Sequence, residues 1–187
     1  LVLSCVSMLS ACSAFNSVSA DQSNSSTLAR YPTSAPGKTS LANDHQQNLH
    51  NFADLNQHNW YTVNDNVMGG ISQGGPTTTE AGILQFYGKL SLKNNGGFSS
   101  MRSQIPQSSL SDYDGLELIV RGSKRRYTVL ASPAQSRGNW QTTFSTGPKW
   151  TTIRIPFATM ELSIRGWKPA TYPTITGDAI TTIGIMI

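Results

Sequence analysis

A series of short segments in which apolar and polar residues alternate limits the fold most strongly. In residues 83–92, ILQFYGKLSL, the apolar residues Leu84, Phe86, Leu90 and Leu92 alternate with polar ones, which is the period of a strand with one buried face. Similar segments follow at GLELIVRG (115–122), RYTVLAS (126–132), NWQTTFST (139–146), WTTIRIPF (150–157) and AITTIGIMI (179–187). Clusters of Gly, Pro, Asn, Asp and Ser separate them, and no segment has a helix-length apolar stripe. Strands spaced by roughly ten residues predict an all-β chain, an antiparallel β-sandwich of jelly-roll type.

The first twelve residues, LVLSCVSMLSAC, have the character of an export signal. They are uncharged, mostly apolar and end in small residues, which suits a cleaved signal better than a membrane span. Residues 9–12, Leu-Ser-Ala-Cys, are similar to the bacterial lipobox, in which the Cys becomes the lipid-modified first residue of the mature protein. We therefore expect residues 1–12 to be a signal peptide, Cys12 to carry a lipid anchor, and the protein to lie in the cell envelope, at the outer membrane or the periplasmic face. The alternative is a plain secretory signal or a fragment end.

Residues 13–50 form the next segment. They are polar and small, with hardly an aromatic and no sustained periodicity, which predicts a flexible tether. Gly37-Lys38-Thr39 resembles the end of a phosphate-binding loop, but the Gly that this loop needs five residues earlier is replaced by Pro. The β-sandwich domain is expected at residues 51–187. Because the chain stops inside an apolar run, we expect the sandwich to lack its last strand.

Charge is distributed unevenly along the chain. Residues 1–120 carry five Lys/Arg against eight Asp/Glu, whereas residues 121–187 carry nine against two, so the net charge of +4 belongs to the second half. The run RGSKRRY gathers four cations beside Tyr127 and is either a solvated hairpin loop or an anion-binding patch. Export argues against nucleic acid and leaves anionic glycan or lipid headgroups. The candidate basic patch is Arg121, Lys124, Arg125 and Arg126.

Groups that could titrate or attack at neutral pH are scarce. The three histidines, His45, His50 and His58, precede the predicted strands and lack zinc-site spacing. Cleavage before Cys12 would leave the domain without a thiol, and therefore without a disulfide or a Cys nucleophile. We expect no enzymatic activity, no cofactor and no metal.

Carboxylates are the remaining catalytic possibility. Asp112 and Asp114 lie in SDYDG, which is typical of a turn whose Asp side chains bind nearby backbone N–H groups. A carboxylate-dependent hydrolase that pairs Asp65 with Glu161 or Asp178 is the weaker alternative, since a glycosidase needs two carboxyl groups across a cleft.

Several segments taken in order resemble one protein family. They are Trp60, VNDNVMGGIS, FYGKLSLKNNGGFSSMRS, YDGLELIVRG with Tyr127, FSTGPKWTTIRIPF and ITTIGIMI. Over residues 52–187 they are together similar to the complex I intermediate-associated protein 30 family. The resemblance implies a galactose-binding-like β-sandwich, a fold shared with many carbohydrate-binding modules, and an assembly-factor role for respiratory complex I in mitochondria. The chain departs from the family at GSKRR, and an exported protein would not meet the cytoplasmic arm of bacterial complex I, so the fold transfers better than the function.

Two groups of residues are candidates for a binding surface. In VNDNVMGGIS (63–72), we expect residues 64–66 to form a hydrogen-bonded turn and Gly69-Gly70 to let the backbone bend or approach a neighbour. The alternative places the acid of this turn at the rim of a binding site. Of the tryptophans, Trp150 is expected inside, whereas two flanked by polar residues are expected at the surface. The candidate rim is Asn64, Asp65, Asn66, Trp140 and Trp167.

The chain is accordingly interpreted as a non-catalytic binding or assembly-factor domain, tethered to a membrane and engaging a protein complex there. The alternative is a carbohydrate-binding module for envelope glycan, with Trp140 and Trp167 keeping that hypothesis open. The expected partners are a membrane protein complex or envelope glycan, with a lipid anchor and no nucleic acid.

Overall fold

A computed structural model describes residues 60–79 and 82–187 of the chain, together with the backbone of residues 2–15 and 47–50. The described residues form twelve β-strands: Val2–Phe15 (β1), Gln47–His50 (β2), Trp60–Asn64 (β3), Gln73–Thr78 (β4), Ile83–Leu90 (β5), Ser99–Gln104 (β6), Gly115–Gly122 (β7), Arg126–Ser132 (β8), Asn139–Ser145 (β9), Thr151–Pro156 (β10), Glu161–Ser163 (β11) and Thr182–Met186 (β12). Short 3₁₀ helices lie at Asp65–Met68, Lys93–Asn95, Phe157–Thr159 and Gly177–Ala179. Among the described residues, no helix is long and apolar enough to cross a bilayer.

The strands form two antiparallel sheets. Sheet A has the order β10-β7-β1-β5-β4, with β2 paired to β1, and sheet B has the order β11-β9-β8-β12-β6-β3. The inner faces of the two sheets supply one apolar core. Its most deeply buried members include Leu84, Met101, Leu116, Leu118, Val120, Tyr127, Val129 and Ile183. The predicted antiparallel β-sandwich is confirmed.

The six alternating segments of the sequence all form strands, because each has apolar residues at every second position for the core. Gly88 on β5 makes the close approach that a glycine in a strand suggests: a Cβ there would lie 2.5 Å from Gln73 O. Leu92 was predicted on the buried face but is 83% exposed. The prediction is wrong because β5 ends at Leu90 and the chain then turns into a 3₁₀ helix.

Strand β1, Val2–Phe15, lies between β5 and β7 in sheet A. Val2 pairs with Leu90, and Phe15 with Gly115. Residues 2–12 of the predicted signal peptide therefore belong to this strand. The predicted tether, residues 13–50, lies for the most part outside the described residues.

Four connections meet at one end of the sandwich, which we call the basic end: residues 65–72, 91–98, 122–126 and 146–150. They follow or precede β3, β5, β7 and β9, all of which point the same way. Two hydrogen bonds join the last two connections, from Gly122 N to Gly147 O (2.8 Å) and from Thr146 N to Arg125 O (2.9 Å).

Candidate functional site

The Asp65 carboxylate, in the family-like segment VNDNVMGGIS, is completely buried at the basic end. It accepts hydrogen bonds from Ser72 N (2.9 Å), Ser72 Oγ (2.5 Å) and Gly97 N (2.7 Å). The carboxylate therefore joins its own turn to the connection between β5 and β6. We call Asp65, Ser72, Gly97 and Phe98 the Asp65 cluster.

Glycines make room for this carboxylate. Gly69 has φ +90°, which ends the 3₁₀ helix in a conformation that favours glycine. A Cβ at Gly70 would lie 2.3 Å from Asp65 Cγ, and one at Gly96 would lie 2.5 Å from Asp65 Oδ2. The predicted turn and close approach are confirmed. The alternative that placed Asp65 at a binding rim is corrected, because a fully buried and hydrogen-bonded carboxylate faces no ligand.

Two opposing effects set the acidity of this carboxyl. Burial raises the pKa of Asp65, but hydrogen bonds from the Ser72 hydroxyl and from the backbone N–H groups of Gly97, Ser72 and Phe98 favour the ionised form. The net result is a pKa below the ordinary value for Asp. Asp65 therefore stays ionised at neutral pH as a structural group.

The other rim candidates are dispersed. Asn64 is tied into the fold, since its amide donates to Gly74 O (3.2 Å) and accepts from Ser99 Oγ (2.6 Å). Asn66 lies exposed on the same turn. The expectation of surface exposure fails for Trp140, which is 9% exposed and donates from Nε1 to Pro173 O (3.0 Å), because its position on β9 faces the core.

Trp150 and Trp167 differ from each other in exposure. Trp167 is 64% exposed, beside the edge strand β11. Trp150, expected inside, is only partly buried, and the guanidinium of Arg121 lies 4.6 Å from its ring centroid. The candidate basic patch accordingly lies at the basic end, on the hairpin between β7 and β8, with one of its cations stacked on an indole.

A row of outward-facing positions crosses sheet B from edge to edge. Adjacent members are paired in register, and they alternate along their strands with core residues such as Met101, Val129 and Trp140. Five strand spacings of about 4.8 Å make this line about 24 Å long. The members of this outer row, in order, are Tyr61, Arg102, Gly184, Leu130, Gln141 and Glu161.

Arg102 dominates the centre of the outer row. Its Nη1 donates to Asn139 Oδ1 (3.2 Å), so its side chain extends over β12 and β8 to reach β9. Gly184 permits this course, because a Cβ there would lie 3.0 Å from Arg102 Cγ and 2.8 Å from Met101 O. Burial lowers the pKa of the Arg102 guanidinium, while Tyr61 acts in the opposite direction. An arginine is still charged at neutral pH after such a shift.

A depression of about 350 Å³ adjoins Arg102 on this face. Tyr61, Arg102 and Gln104 line one side of it, and the connection after β8 lines the other, with residues 132–136. Tyr61 presents its ring here at 43% exposure. The row and the depression together offer an aromatic ring, a guanidinium and several amide and hydroxyl groups to a ligand.

Asp65 and Glu161 lie too far apart to form a hydrolytic pair. Asp65 follows β3 and Glu161 begins β11, the two opposite edge strands of sheet B, about 24 Å apart at the ideal spacing. A glycosidase needs its carboxyls within roughly 5–10 Å of each other. Glu161 instead pairs with Lys168. Within residues 60–79 and 82–187, no group of three or more His, Cys, Asp or Glu could hold a metal ion.

The fold places the chain in the class of galactose-binding-like β-sandwich domains. It is similar to a solved family 11 carbohydrate-binding module of the cellulosomal cellulase Lic26A-Cel5E of Clostridium thermocellum, with TM-score 0.54 and 15% identity over 69% of this chain and 78% of that one. A second structure, a family 11 module from Clostridium thermocellum in complex with a β-1,3-1,4-mixed-linked tetrasaccharide, gives TM-score 0.50 and 15% identity over 68% of this chain and 78% of that one. At this identity the likeness shows the fold.

The chain belongs to the complex I intermediate-associated protein 30 family, whose sequence pattern matches residues 49–187. The family resemblance found in the sequence is therefore confirmed. The comparison with curated proteins gave no match.

Proposed function

We propose that the protein is a non-catalytic binding domain and that its ligand lies along the outer row of sheet B. The observation that carries this proposal is the in-register line from Tyr61 through Arg102 to Glu161, about 24 Å long, on the outer side of sheet B. Its two ends, Tyr61 and Glu161, are exposed, and its centre, Leu130 and Gly184, is buried. A line of this length suits an elongated ligand. Its donors and acceptors suit a ligand rich in hydroxyl groups.

The ligand class that fits best is a glycan chain. A sugar ring has an apolar face that packs on an aromatic ring such as Tyr61, while its hydroxyl groups exchange hydrogen bonds with a guanidinium and with amides. The depression beside Arg102 is large enough, at about 350 Å³, for a small ligand group. The solved neighbours are described as carbohydrate-binding modules, which agrees with this ligand class.

The test is an array of soluble β-glucans and cell-wall glycans probed with the wild type and with Arg102→Met. Methionine keeps the length of the side chain but removes the guanidinium, so affinity should fall by about tenfold or more. Lys149→Met, an exposed cation at the basic end, is the matched control and should bind like the wild type. An array without any binder at high micromolar protein, or equal losses in both variants, would refute the glycan proposal.

As a second candidate we propose an assembly factor that engages a membrane protein complex, a role that agrees with the family's description. We place its contact on the same outer row. Affinity capture from solubilised membranes should then return a stoichiometric partner, and Arg102→Met should reduce its recovery. An empty capture with the wild type would count against this role.

We also propose that the protein is exported and anchored in the cell envelope through Cys12, with residues 13–50 as its tether. Cys12→Ser should release the protein to the soluble fraction, and unchanged membrane association would contradict the anchor. Cleavage before Cys12 would remove residues 2–11 of β1, whereas the strand between β5 and β7 needs them. Mass spectrometry of the N-terminus of the protein isolated from cells shows whether the chain is cleaved before Cys12 or keeps residues 2–11 in β1.

A further inference from the structure

The connections of the basic end form one continuous surface. The Asp65 cluster joins residues 65–72 to residues 91–98. An open depression of about 890 Å³ is lined by Ile71, Leu92 and Lys93 from these two connections and by Arg125 from the hairpin between β7 and β8. The hairpin that carries Arg125 is in turn hydrogen-bonded to the connection after β9. All four connections therefore belong to one surface.

Two of these connections carry exposed apolar side chains. Val67 and Met68 are 69% and 62% exposed on the turn of residues 65–72, where Ile71 is 51% exposed. Leu92, on the next connection, is 83% exposed. Four large apolar side chains on two joined turns form a patch, and such patches on a folded domain mark an interaction surface.

The charges around this patch have one sign. Among the described residues of the basic end and the adjoining strand positions, Asp65 is the one acidic residue. Its carboxylate is buried inside the Asp65 cluster. The two ion pairs seen in residues 60–79 and 82–187, Arg154 with Glu117 and Lys168 with Glu161, both lie outside this end. The cations of the basic end are Lys89, Lys93, Arg121, Lys124, Arg125, Arg126 and Lys149.

We infer that the basic end docks on the surface of an anionic phospholipid bilayer. Val67, Met68 and Leu92 enter the boundary between headgroups and acyl chains, and the surrounding Lys and Arg side chains meet the lipid phosphates. Apolar turn tips that project from a cationic surface match the two forces that hold a peripheral protein on such a bilayer: burial of apolar area and attraction to anionic headgroups.

Other occupants fit this surface less well. Protein interfaces are depleted in Lys relative to Arg and aromatic residues, whereas four of these seven cations are Lys. A single-stranded nucleic acid would need an aromatic platform for its bases, but the ring of Trp150 is covered by Arg121. The patch supplies aliphatic tips instead, which suit acyl chains.

The test is sedimentation of the full 187-residue chain with vesicles of phosphatidylcholine alone and of phosphatidylcholine with one quarter phosphatidylglycerol. We expect binding to the anionic vesicles that weakens as salt is added. The variant Val67→Ser/Met68→Ser/Leu92→Ser should bind them at least about tenfold less tightly. Lys93→Gln/Lys124→Gln should lose roughly an order of magnitude through charge alone.

Matched controls change side chains at the opposite end. Trp167→Ser removes an equally exposed apolar group, and Arg137→Gln/Arg165→Gln removes two exposed cations, so both should bind like the wild type. All these positions are exposed, so every variant should keep the wild-type melting temperature, and Leu92→Ser alone replaces the triple variant if that variant fails to fold.

Three results would overturn the inference: no binding to anionic vesicles, equal binding to neutral ones, or binding that the variants of the basic end leave unchanged. Binding that these variants leave unchanged would instead indicate that the apolar residues 1–12 insert into the vesicles. Binding of a single-stranded oligonucleotide that Lys93→Gln/Lys124→Gln abolishes, with the vesicles left unbound, would assign the surface to nucleic acid instead.

Discussion

The Asp65 cluster and the outer row of sheet B are both rich in polar residues, yet they differ in burial. The Asp65 carboxylate is fully buried, and its hydrogen bonds come from the protein itself. Tyr61 and Glu161 in the outer row are exposed, and Arg102 lies on the outside of the sheet between them. A polar group whose partners are all internal stabilises the fold, whereas one with remaining capacity at the surface is available to a ligand.

The largest expected effect is that of Asp65→Ala on stability. The substitution leaves the buried N–H of Ser72 and the partly buried N–H of Gly97 without their acceptor, which should lower the free energy of unfolding by about 3–5 kcal/mol. Urea titration followed by tryptophan fluorescence measures it. Asn66→Ala, on the exposed side of the same turn, should change stability by less than about 0.5 kcal/mol. Equal effects at the two positions would remove the structural role from Asp65.

Gly70→Ala and Gly69→Ala separate crowding from backbone strain in the same turn. A Cβ at Gly70 would overlap the Asp65 carboxyl, so we expect a loss of about 2–4 kcal/mol. Gly69 has open space around it but φ +90°, so alanine there should cost only about 1–2 kcal/mol. Thermal melts of the two variants give the order, and the reverse order would contradict the packing of Gly70 on Asp65.

The lowered pKa of Asp65 predicts a smaller, pH-dependent effect. Because the carboxyl is more acidic in the folded than in the unfolded state, its contribution is fully present above the unfolded pKa of about 3.9. The contribution is lost as the pH falls through the folded pKa. Acid unfolding of the wild type should therefore be steeper below about pH 4 than that of Asp65→Asn. Parallel curves would show that Asp65 does not titrate in this way.

The fold could be predicted largely because its signal is local. Segments such as GLELIVRG place an apolar residue at every second position, and β7 has the bounds of that segment. Strands β4 and β6 gave no such signal. Strand β4 is an edge strand that contains Gly and Pro. In β6 the buried positions include Ser99 and Ser103, so polar residues stand where the pattern requires apolar ones.

The candidate site was harder to predict because its members meet only through strand register. Arg102 alternates with Met101 and Ser103 in the sequence, which indicates that it faces outward, but its neighbours Gly184 and Tyr61 come from distant parts of the chain. Asp65 poses the same problem, since its partner Gly97 lies 32 residues away. Trp140 shows the limit of local context: it has polar neighbours on both sides, yet its strand position turns it into the core.

The most direct test of the division between the two regions is an NMR titration of the isotope-labelled chain with the tightest-binding oligosaccharide from the array, following backbone amide shifts. We expect the shifts to concentrate on the outer row, at Tyr61, Arg102, Leu130, Gln141 and Glu161, while the amides of Asp65, Gly70 and Gly97 remain unchanged. Shifts centred on residues 64–72 and 96–98, with the outer row silent, would contradict it.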